Sequence, residues 1–180
     1  MILFCSFYLC RELAGQEDFD EARDRLMLGI ERKSLTMSER DRLNTAIHES
    51  GHALAAYYNP QANKLYKATI VARGGALGVT SFMPSDSETG MSKAQMLAHI
   101  DTAMGGHVAE RLFIGSRKVS SGCGSDMQSA TKIATNAIRK CGMFGELVGY
   151  NSTEFEQTSE EYNALVDKAV KQILDVSQIY

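Results

Sequence analysis

The stretch TAIHESGHALAAYY, residues 45–58, is the most informative part of this chain, because it contains an HESGH motif that begins at His48 and ends at His52. Residues four positions apart lie on the same face of a helix, so both imidazoles can reach one metal ion. Glu49 follows the first histidine and can take a proton from a water molecule at that ion. The pattern H-E-x-x-H is typical of zinc peptidases, and the simpler interpretation is a pair of histidines on a polar helix face.

The composition is that of an ordinary globular protein of 180 residues, with 44% hydrophobic and 23% charged residues. This length is enough for one well-buried domain or a compact two-lobed one. The net charge of −3 gives no general attraction for nucleic acid, and no nucleic-acid partner is expected. No apolar run reaches the length of a membrane span, and the phosphate-binding pattern G-x-x-x-x-G-K-[ST] does not occur in the sequence.

Local signals place the motif in the middle of a helix. Ser38 precedes acidic residues and predicts an N-cap, and Asn59-Pro60 predicts the helix end. Gly51 inside this helix costs about 1 kcal/mol relative to alanine, which close packing against another element would justify. The apolar stripe predicted for the helix consists of Leu43, Ile47 and Leu54.

The rest of the chain predicts a small sheet followed by helices. Two β-branched or aromatic runs, 64–72 and 76–83, flank a glycine-rich turn and predict a β-ribbon. Cys141 falls on the apolar face of a predicted helix and is expected to be packed. Three helix starts are predicted by the capping patterns Ser92-x-x-Gln95, Ser125-x-x-Gln128 and Thr158-x-x-Glu161. The predicted fold is mainly α with a small β-ribbon.

A catalytic zinc site has three protein ligands, so two histidines are not sufficient. Asp126 follows a glycine-rich loop at a helix start, where the dipole favours an ionised carboxylate, but it fits a simple stabiliser of the helix start equally well. Glu110 lies within a helix after two glycines and fits a ligand, an acceptor for a ligand histidine, or a surface residue. His99 and His107 are more typical of polar-face or core histidines. The residues alone leave the third ligand open.

Several stretches between residues 18 and 149 together resemble the peptidase domain of FtsH-type AAA metalloproteases, most closely the mitochondrial i-AAA branch. The stretches are DFDEARDRLMLGIERKS, TAIHESGHALAAYY, KATIVARGGALGVTSFMP, MGGHVAERLFIG, SGCGSDMQSATKIA and GMFGELVG, in that order along the chain. The resemblance implies that His48, His52 and Asp126 are zinc ligands and that Glu49 is the catalytic base. It also implies that Glu110 supports a ligand histidine.

The same resemblance implies partners and a cellular setting. The family is membrane-tethered and hexameric, and an ATPase module in the same polypeptide threads unfolded proteins into its chamber. The ribbon would offer backbone edges to an extended substrate by strand addition, with Leu77, Gly78, Val79 and Thr80 as the substrate-binding residues. The expected location of the whole protein is the mitochondrial inner membrane, with a bacterial or plastid membrane as the alternative.

The sequence departs from the family pattern at four positions. His107 replaces an arginine, Arg111 a glutamate, Ala72 a proline and Cys123 an alanine. None of these changes removes a ligand or the base, so they bear on subunit contacts and substrate preference.

The sequence therefore predicts a zinc endopeptidase domain at residues 18–180, preceded by an apolar segment at 1–17. We expect it to be a fragment of a larger protein, with the C-terminal helical region incomplete and with the ATPase module and membrane segment outside this chain. Two alternatives stay open: a non-catalytic scaffold for hexamer assembly, and a stand-alone zinc peptidase that uses Glu110 as its third ligand.

Overall fold

The computed structural model describes residues 15–32, 34–84, 90–149 and 158–178, in which helices surround one small antiparallel ribbon. This confirms the predicted fold class. The elements are α1 (Gln16–Leu28), α2 (Glu39–Tyr58), β1 (Leu65–Thr69), β2 (Val79–Phe82), α3 (Lys93–Phe113), a 3-10 turn (Ser116–Lys118), α4 (Cys123–Arg139), α5 (Gly145–Val148) and α6 (Glu160–Ser177). No helix in the described part of the chain combines the length and hydrophobicity of a membrane span.

Helix α2 begins and ends where the sequence predicts. The Ser38 hydroxyl accepts a hydrogen bond from the Asp41 backbone N–H at 3.1 Å, and the helix ends at Tyr58, ahead of Asn59-Pro60. The predicted apolar stripe is wrong, because Leu43 and Leu54 are 61% and 56% exposed. The helix instead buries Glu49, His52 and Ala56, so its inward face is the face of the motif.

Two glycines allow α2 and α3 to cross with their backbones in contact. A Cβ atom on Gly51 would lie 2.3 Å from the Gly105 carbonyl oxygen, and one on Gly105 would lie 2.6 Å from the Gly51 carbonyl oxygen. Both approaches are far below van der Waals contact, so neither position accommodates a side chain without moving a helix. The packing explains the glycine in the middle of the motif helix, as the sequence anticipated.

The apolar core lies on the other side of α3, between α3, α4 and α6. Ile100 and Met104 of α3 are completely buried there. Small residues on α4 let the three helices approach closely, while branched residues on α6 fill the remaining space. The other core residues are Ala130, Ala134, Ala137, Ile138, Phe144, Val166, Ala169, Val170, Ile173 and Leu174. This core holds the start of α4 in a fixed position relative to α3.

The ribbon pairs β1 with β2 in antiparallel register, with Ala68 opposite Thr80 and an irregularity between Leu65 and Lys67. Its strands are shorter than the predicted runs, but the turn lies at the predicted place, where Arg73 pairs with Ala76. Helix α1 is attached to the ribbon through Asp24, which accepts hydrogen bonds from the Tyr66 hydroxyl at 2.8 Å and from Lys67.

Three local predictions differ from the structure. Helix α4 begins at Cys123 instead of after Ser125, whose hydroxyl donates to the Gly122 carbonyl oxygen at 3.3 Å. Helix α6 is capped by Ser159, one residue after the predicted cap. Cys141 is exposed, because α4 ends at Arg139 and the cysteine lies in the turn that follows. The predicted division at residues 17 and 18 stays a prediction, since 1–14 lie outside the described residues and α1 begins at Gln16.

Candidate metal centre

Three potential metal ligands meet where α2, α3 and the start of α4 come together. His48 Nε2 lies 3.0 Å from His52 Nε2 and 3.1 Å from Asp126 Oδ2, and His52 Nε2 lies 3.5 Å from the same oxygen. A tetrahedral site with bonds of about 2.0–2.2 Å to nitrogen and oxygen separates its ligand atoms by about 3.4 Å. The three atoms are therefore close to the spacing that a zinc ion requires.

The other ring nitrogen of each histidine is occupied by an acceptor. His48 Nδ1 donates to Glu110 Oε1 at 2.8 Å, and His52 Nδ1 donates to the Thr102 carbonyl oxygen at 2.7 Å. A neutral imidazole has one N–H, so these hydrogen bonds leave Nε2 of both rings unprotonated and turned toward Asp126. In metal sites a histidine ligand usually donates its other ring N–H to a hydrogen-bond acceptor in this way.

Gly106 on α3 forms the floor beneath the two rings. A Cβ atom at this position would lie 2.6 Å from His48 Cε1 and 2.6 Å from His52 Nε2. Any side chain here would occupy the space that the imidazoles need. The Gly105-Gly106 pair therefore serves two contacts, with the first glycine against the backbone of α2 and the second against the imidazoles of the motif.

The charges at the site favour ionised carboxylates. Burial raises the pKa of Asp126, but the imidazoles of His48 and His52 beside it outweigh that effect and hold the pKa well below its ordinary value. Burial also raises the pKa of Glu110, but hydrogen bonds from the Ser120 backbone N–H and hydroxyl outweigh it and lower the pKa. Asp126 Oδ2 is buried and has no hydrogen-bond partner in the described part of the chain. An ionised, unpartnered oxygen that faces two unprotonated imidazole nitrogens fits a cation.

Glu49 is buried at the edge of the ribbon and is held by Thr80. The Thr80 hydroxyl lies 2.6 Å from Glu49 Oε2 and 3.1 Å from the Glu49 carbonyl oxygen. Gly78 is packed against the same carboxylate, since a Cβ atom there would lie 2.9 Å from Glu49 Oε1. The strand beside the site therefore fixes the position of this carboxylate. The sequence assigned Thr80 to the substrate and did not anticipate this contact.

A cavity of about 860 Å³ contains these groups. Glu49 and the three clustered side chains border it, together with β2 residues and the exposed Leu77. His99 also borders the cavity, and burial lowers its pKa. Neither His99 nor His107 belongs to a cluster of potential metal ligands among the described residues.

Sequence reasoning missed two residues beside the site. Ser120 donates its backbone N–H to Glu110 Oε2 at 2.6 Å and its hydroxyl to Glu110 Oε1 at 2.9 Å. The Cys123 thiol donates to Glu110 Oε1 at 3.3 Å. Burial, with Glu110 beside it, raises the pKa of the Cys123 thiol to about 12. The sequence signals at this place were the glycine-rich loop and the replacement of the family's alanine by Cys123, and neither of them indicated these contacts.

The chain matches known proteins along nearly its whole length. It is 39% identical over 177 residues to the ATP-dependent zinc metalloprotease FtsH of Rickettsia felis, covering 92% of this chain and 28% of that protein. It is 39% identical over 163 residues to ATP-dependent zinc metalloprotease FTSH 11, chloroplastic/mitochondrial, of Arabidopsis thaliana, covering 91% of this chain and 20% of the relative. It is 38% identical over 175 residues to the mitochondrial inner membrane i-AAA protease supercomplex subunit YME1 of Saccharomyces cerevisiae. This match covers 95% of this chain and 23% of that subunit.

The chain thus spans roughly a quarter of the length of these relatives. The relatives come from bacteria, from mitochondria and from chloroplasts, which agrees with the resemblance drawn from the sequence. The sequence pattern of Peptidase family M41 matches residues 35–178, from before α2 to the end of α6. The chain, with its paired motif histidines and the carboxylate that faces them, belongs to Peptidase family M41.

Proposed function

We propose that this chain is a zinc endopeptidase domain in which His48, His52 and Asp126 bind the zinc ion and Glu49 is the catalytic base. The observation that carries the proposal is the convergence of two Nε2 atoms and one carboxylate oxygen within 3.0–3.5 Å of one another. Glu110 faces Nδ1 of His48 and not Nε2. This geometry favours Asp126 over Glu110 as the third ligand, and it favours Glu110 as the acceptor that orients His48.

A zinc ion held by these three residues would supply Lewis acidity, which would polarise the scissile carbonyl and lower the pKa of a water molecule. Glu49 accepts the proton of that water and later delivers it to the leaving amine, a role that a carboxylate held at the cavity wall can perform. The Thr80 hydroxyl keeps the Glu49 carboxylate in one orientation between the two events. Asp126 stays ionised throughout, since the two imidazoles beside it hold its pKa low.

The substrate in this proposal is an extended, unfolded polypeptide. β2 lies at the cavity wall, and Gly78 contacts Glu49 directly. The substrate would pair by strand addition with the backbone groups of Leu77, Gly78, Val79 and Thr80. This binding mode recognises the backbone of the substrate more than its side chains. A chain laid along this strand would pass next to Glu49.

The whole protein is proposed to be a membrane-tethered, ATP-dependent protease that removes unfolded membrane and soluble proteins. Relatives named as ATP-dependent and as a mitochondrial inner membrane subunit support an ATPase module in cis and a location at that membrane, with a bacterial or plastid membrane as the alternative. Assembly into a hexamer is part of the same proposal. It is supported by an apolar surface where α2 and α3 end, at Leu54, Tyr58, Leu112 and Phe113, of which the last two are 74% and 76% exposed.

The proposed activity is tested with one substrate protein in a folded form and in a destabilised form. The zinc-loaded chain should cut the destabilised form without ATP, a chelator should stop the cleavage, and added zinc should restore it. Unfolding a stable domain costs about 5–15 kcal/mol, and this sequence has no phosphate-binding loop to couple ATP to that work. Cleavage of the folded form should therefore follow its spontaneous opening. Rapid, ATP-stimulated degradation of the folded form by this chain alone would contradict the proposal.

Thr80→Val is expected to lower kcat by about 10–100-fold with zinc content unchanged, because a hydrogen bond to a charged group is worth about 1.5–3 kcal/mol. Thr80→Ser keeps the hydroxyl and should stay near the wild-type kcat. Steady-state kinetics on an unfolded peptide separate this role from simple substrate binding. A raised KM with an unchanged kcat in Thr80→Val would mean that the hydroxyl contacts the substrate instead of orienting Glu49.

A further inference from the structure

A second group of potential ligands lies on the opposite side of the His48 ring from Asp126. Cys123 Sγ is 3.3 Å from Glu110 Oε1 and 3.8 Å from His48 Nδ1, and the latter two atoms are 2.8 Å apart. The group combines a sulfur, an oxygen and a nitrogen, all within 4.8 Å of one another. Each of these three atom types is a ligand for zinc and related ions.

The spacing of the three atoms is close to that of a tetrahedral site. With bonds of about 2.3 Å to sulfur and about 2.1 Å to nitrogen, a bound ion separates the two ligand atoms by about 3.6 Å. The observed distances from sulfur, 3.3 and 3.8 Å, lie on either side of this value. Only the hydrogen-bonded pair formed by His48 Nδ1 and Glu110 Oε1 must open, by about 0.6 Å.

We propose that His48 Nδ1, Glu110 Oε1 and Cys123 Sγ form a second metal site for a thiophilic divalent ion, and that this site competes with the zinc site for His48. The sulfur ligand sets the preference, because thiolates favour soft ions over the hard ions that carboxylates bind. Filling the second site would turn the peptidase off. The inference rests on the proposed function only through the shared histidine.

Competition follows from the chemistry of the shared ring. A neutral imidazole carries one proton and offers only one of its two nitrogens as a ligand. When the ion binds at Nδ1, the ring proton moves from Nδ1 to Nε2, and the thiol proton leaves to solvent as the metal–sulfur bond forms. Nε2 then carries a proton and can no longer bind zinc. The hydrogen bond from His48 to Glu110 is lost in the same step.

The surroundings of Glu110 make this exchange possible. Its second oxygen, Oε2, is held by the Ser120 backbone N–H at 2.6 Å, and Oε1 keeps the Ser120 hydroxyl at 2.9 Å while the ion replaces the His48 and Cys123 donors. Glu110 and Ser120 border the same cavity as His48. An ion would therefore enter by the route that serves the zinc site. Cys123 itself is buried, at 5% exposure, and its sulfur lies next to Glu110.

Cadmium is the probe, and the test uses the full chain with Cys5, Cys10 and Cys141 changed to serine, which leaves Cys123 as its only cysteine. The zinc-loaded protein is titrated with Cd²⁺ while the ultraviolet absorption of a cadmium–thiolate bond and the zinc released to an indicator dye are recorded. The two signals should rise together, one zinc ion released per cadmium ion bound. Cys123→Ala should lose the absorption, and Cys123→Ser should lose it while circular dichroism stays unchanged.

Asp126→Asn in the same background separates this inference from the proposed function. It should retain the cadmium–thiolate absorption and reach it at lower cadmium concentration, because no zinc competes for His48. Absorption that develops while all zinc stays bound would overturn the competition. Absence of the absorption in the single-cysteine protein, or its loss in Asp126→Asn, would overturn the second site. Neither result would affect the assignment of zinc to His48, His52 and Asp126, which zinc content alone decides.

Discussion

Glu49→Gln is expected to retain zinc and the folded structure but to lower the turnover of unfolded casein by at least about 100-fold, the usual contribution of a positioned general base. The amide keeps the size of the carboxylate and can still bond to Thr80, so the cavity should keep its shape. What it loses is the ability to accept a proton from water. Zinc content, circular dichroism and casein cleavage are measured on the same preparation.

The matched control is Glu39→Gln, which makes the same change of charge on the same helix. Glu39 is exposed at the helix start and pairs only with Arg42 among the contacts described. Its variant should keep full activity. Near-normal turnover by a zinc-loaded Glu49→Gln protein would reject Glu49 as the base, and a wild-type protein that binds zinc but cuts nothing would favour the non-catalytic scaffold.

Asp126→Ala is expected to lose zinc as completely as His52→Ala, because each would remove one of the three proposed ligand atoms. Glu110→Gln should retain zinc and weaken its affinity by about 10–100-fold, the typical cost of losing an acceptor behind a ligand histidine. Zinc affinity is measured by competition with a chelator. Asp175→Ala, which removes an exposed carboxylate paired with Lys171 on α6, is the control and should bind zinc normally.

These variants also decide between the two candidate third ligands. If Asp126→Ala retains full zinc while Glu110→Gln loses it, the roles are reversed and the stand-alone peptidase with Glu110 as ligand is the better assignment. Thermal stability gives a second readout, since an ion that binds only the folded state raises the melting temperature. Zinc should therefore stabilise the wild type and Glu110→Gln, and it should have little effect on Asp126→Ala.

Local features of the fold could be predicted from the sequence because they depend on interactions between residues a few positions apart. The i,i+4 spacing brings His48 and His52 together on any helix, and the hydroxyls of Ser38 and Ser92 cap helices through backbone groups a few residues away. Predictions failed where local signals competed. The Ser125 pattern resembles a capping box, yet α4 begins three residues earlier than it predicts, at Cys123, and Cys141 falls just beyond the helix end.

The apolar stripe of α2 failed for a different reason. Periodicity assumes that the buried face of a helix is its apolar face. In α2 the buried face carries Glu49 and His52, because the motif lines the cavity that α3, the ribbon and the start of α4 also border. Leu43 and Leu54 point outward. These two polar side chains can be buried because each has a hydrogen-bond partner in the folded protein. Those partners are distant in the sequence, so no local sequence pattern predicts them.

The H-E-x-x-H motif, the fold class and, by resemblance, the family could be predicted from the sequence, while Glu49 as the base and zinc as the metal stay predictions. Only the tertiary structure brought Asp126 to the two Nε2 atoms and Glu110 to the far side of His48, 62 residues away along the chain. It also set Cys123 beside that pair and Thr80 against Glu49. These contacts depend on the close crossing of α2 and α3 at Gly51 and Gly105, which is a property of two helices packed together and not of either one alone.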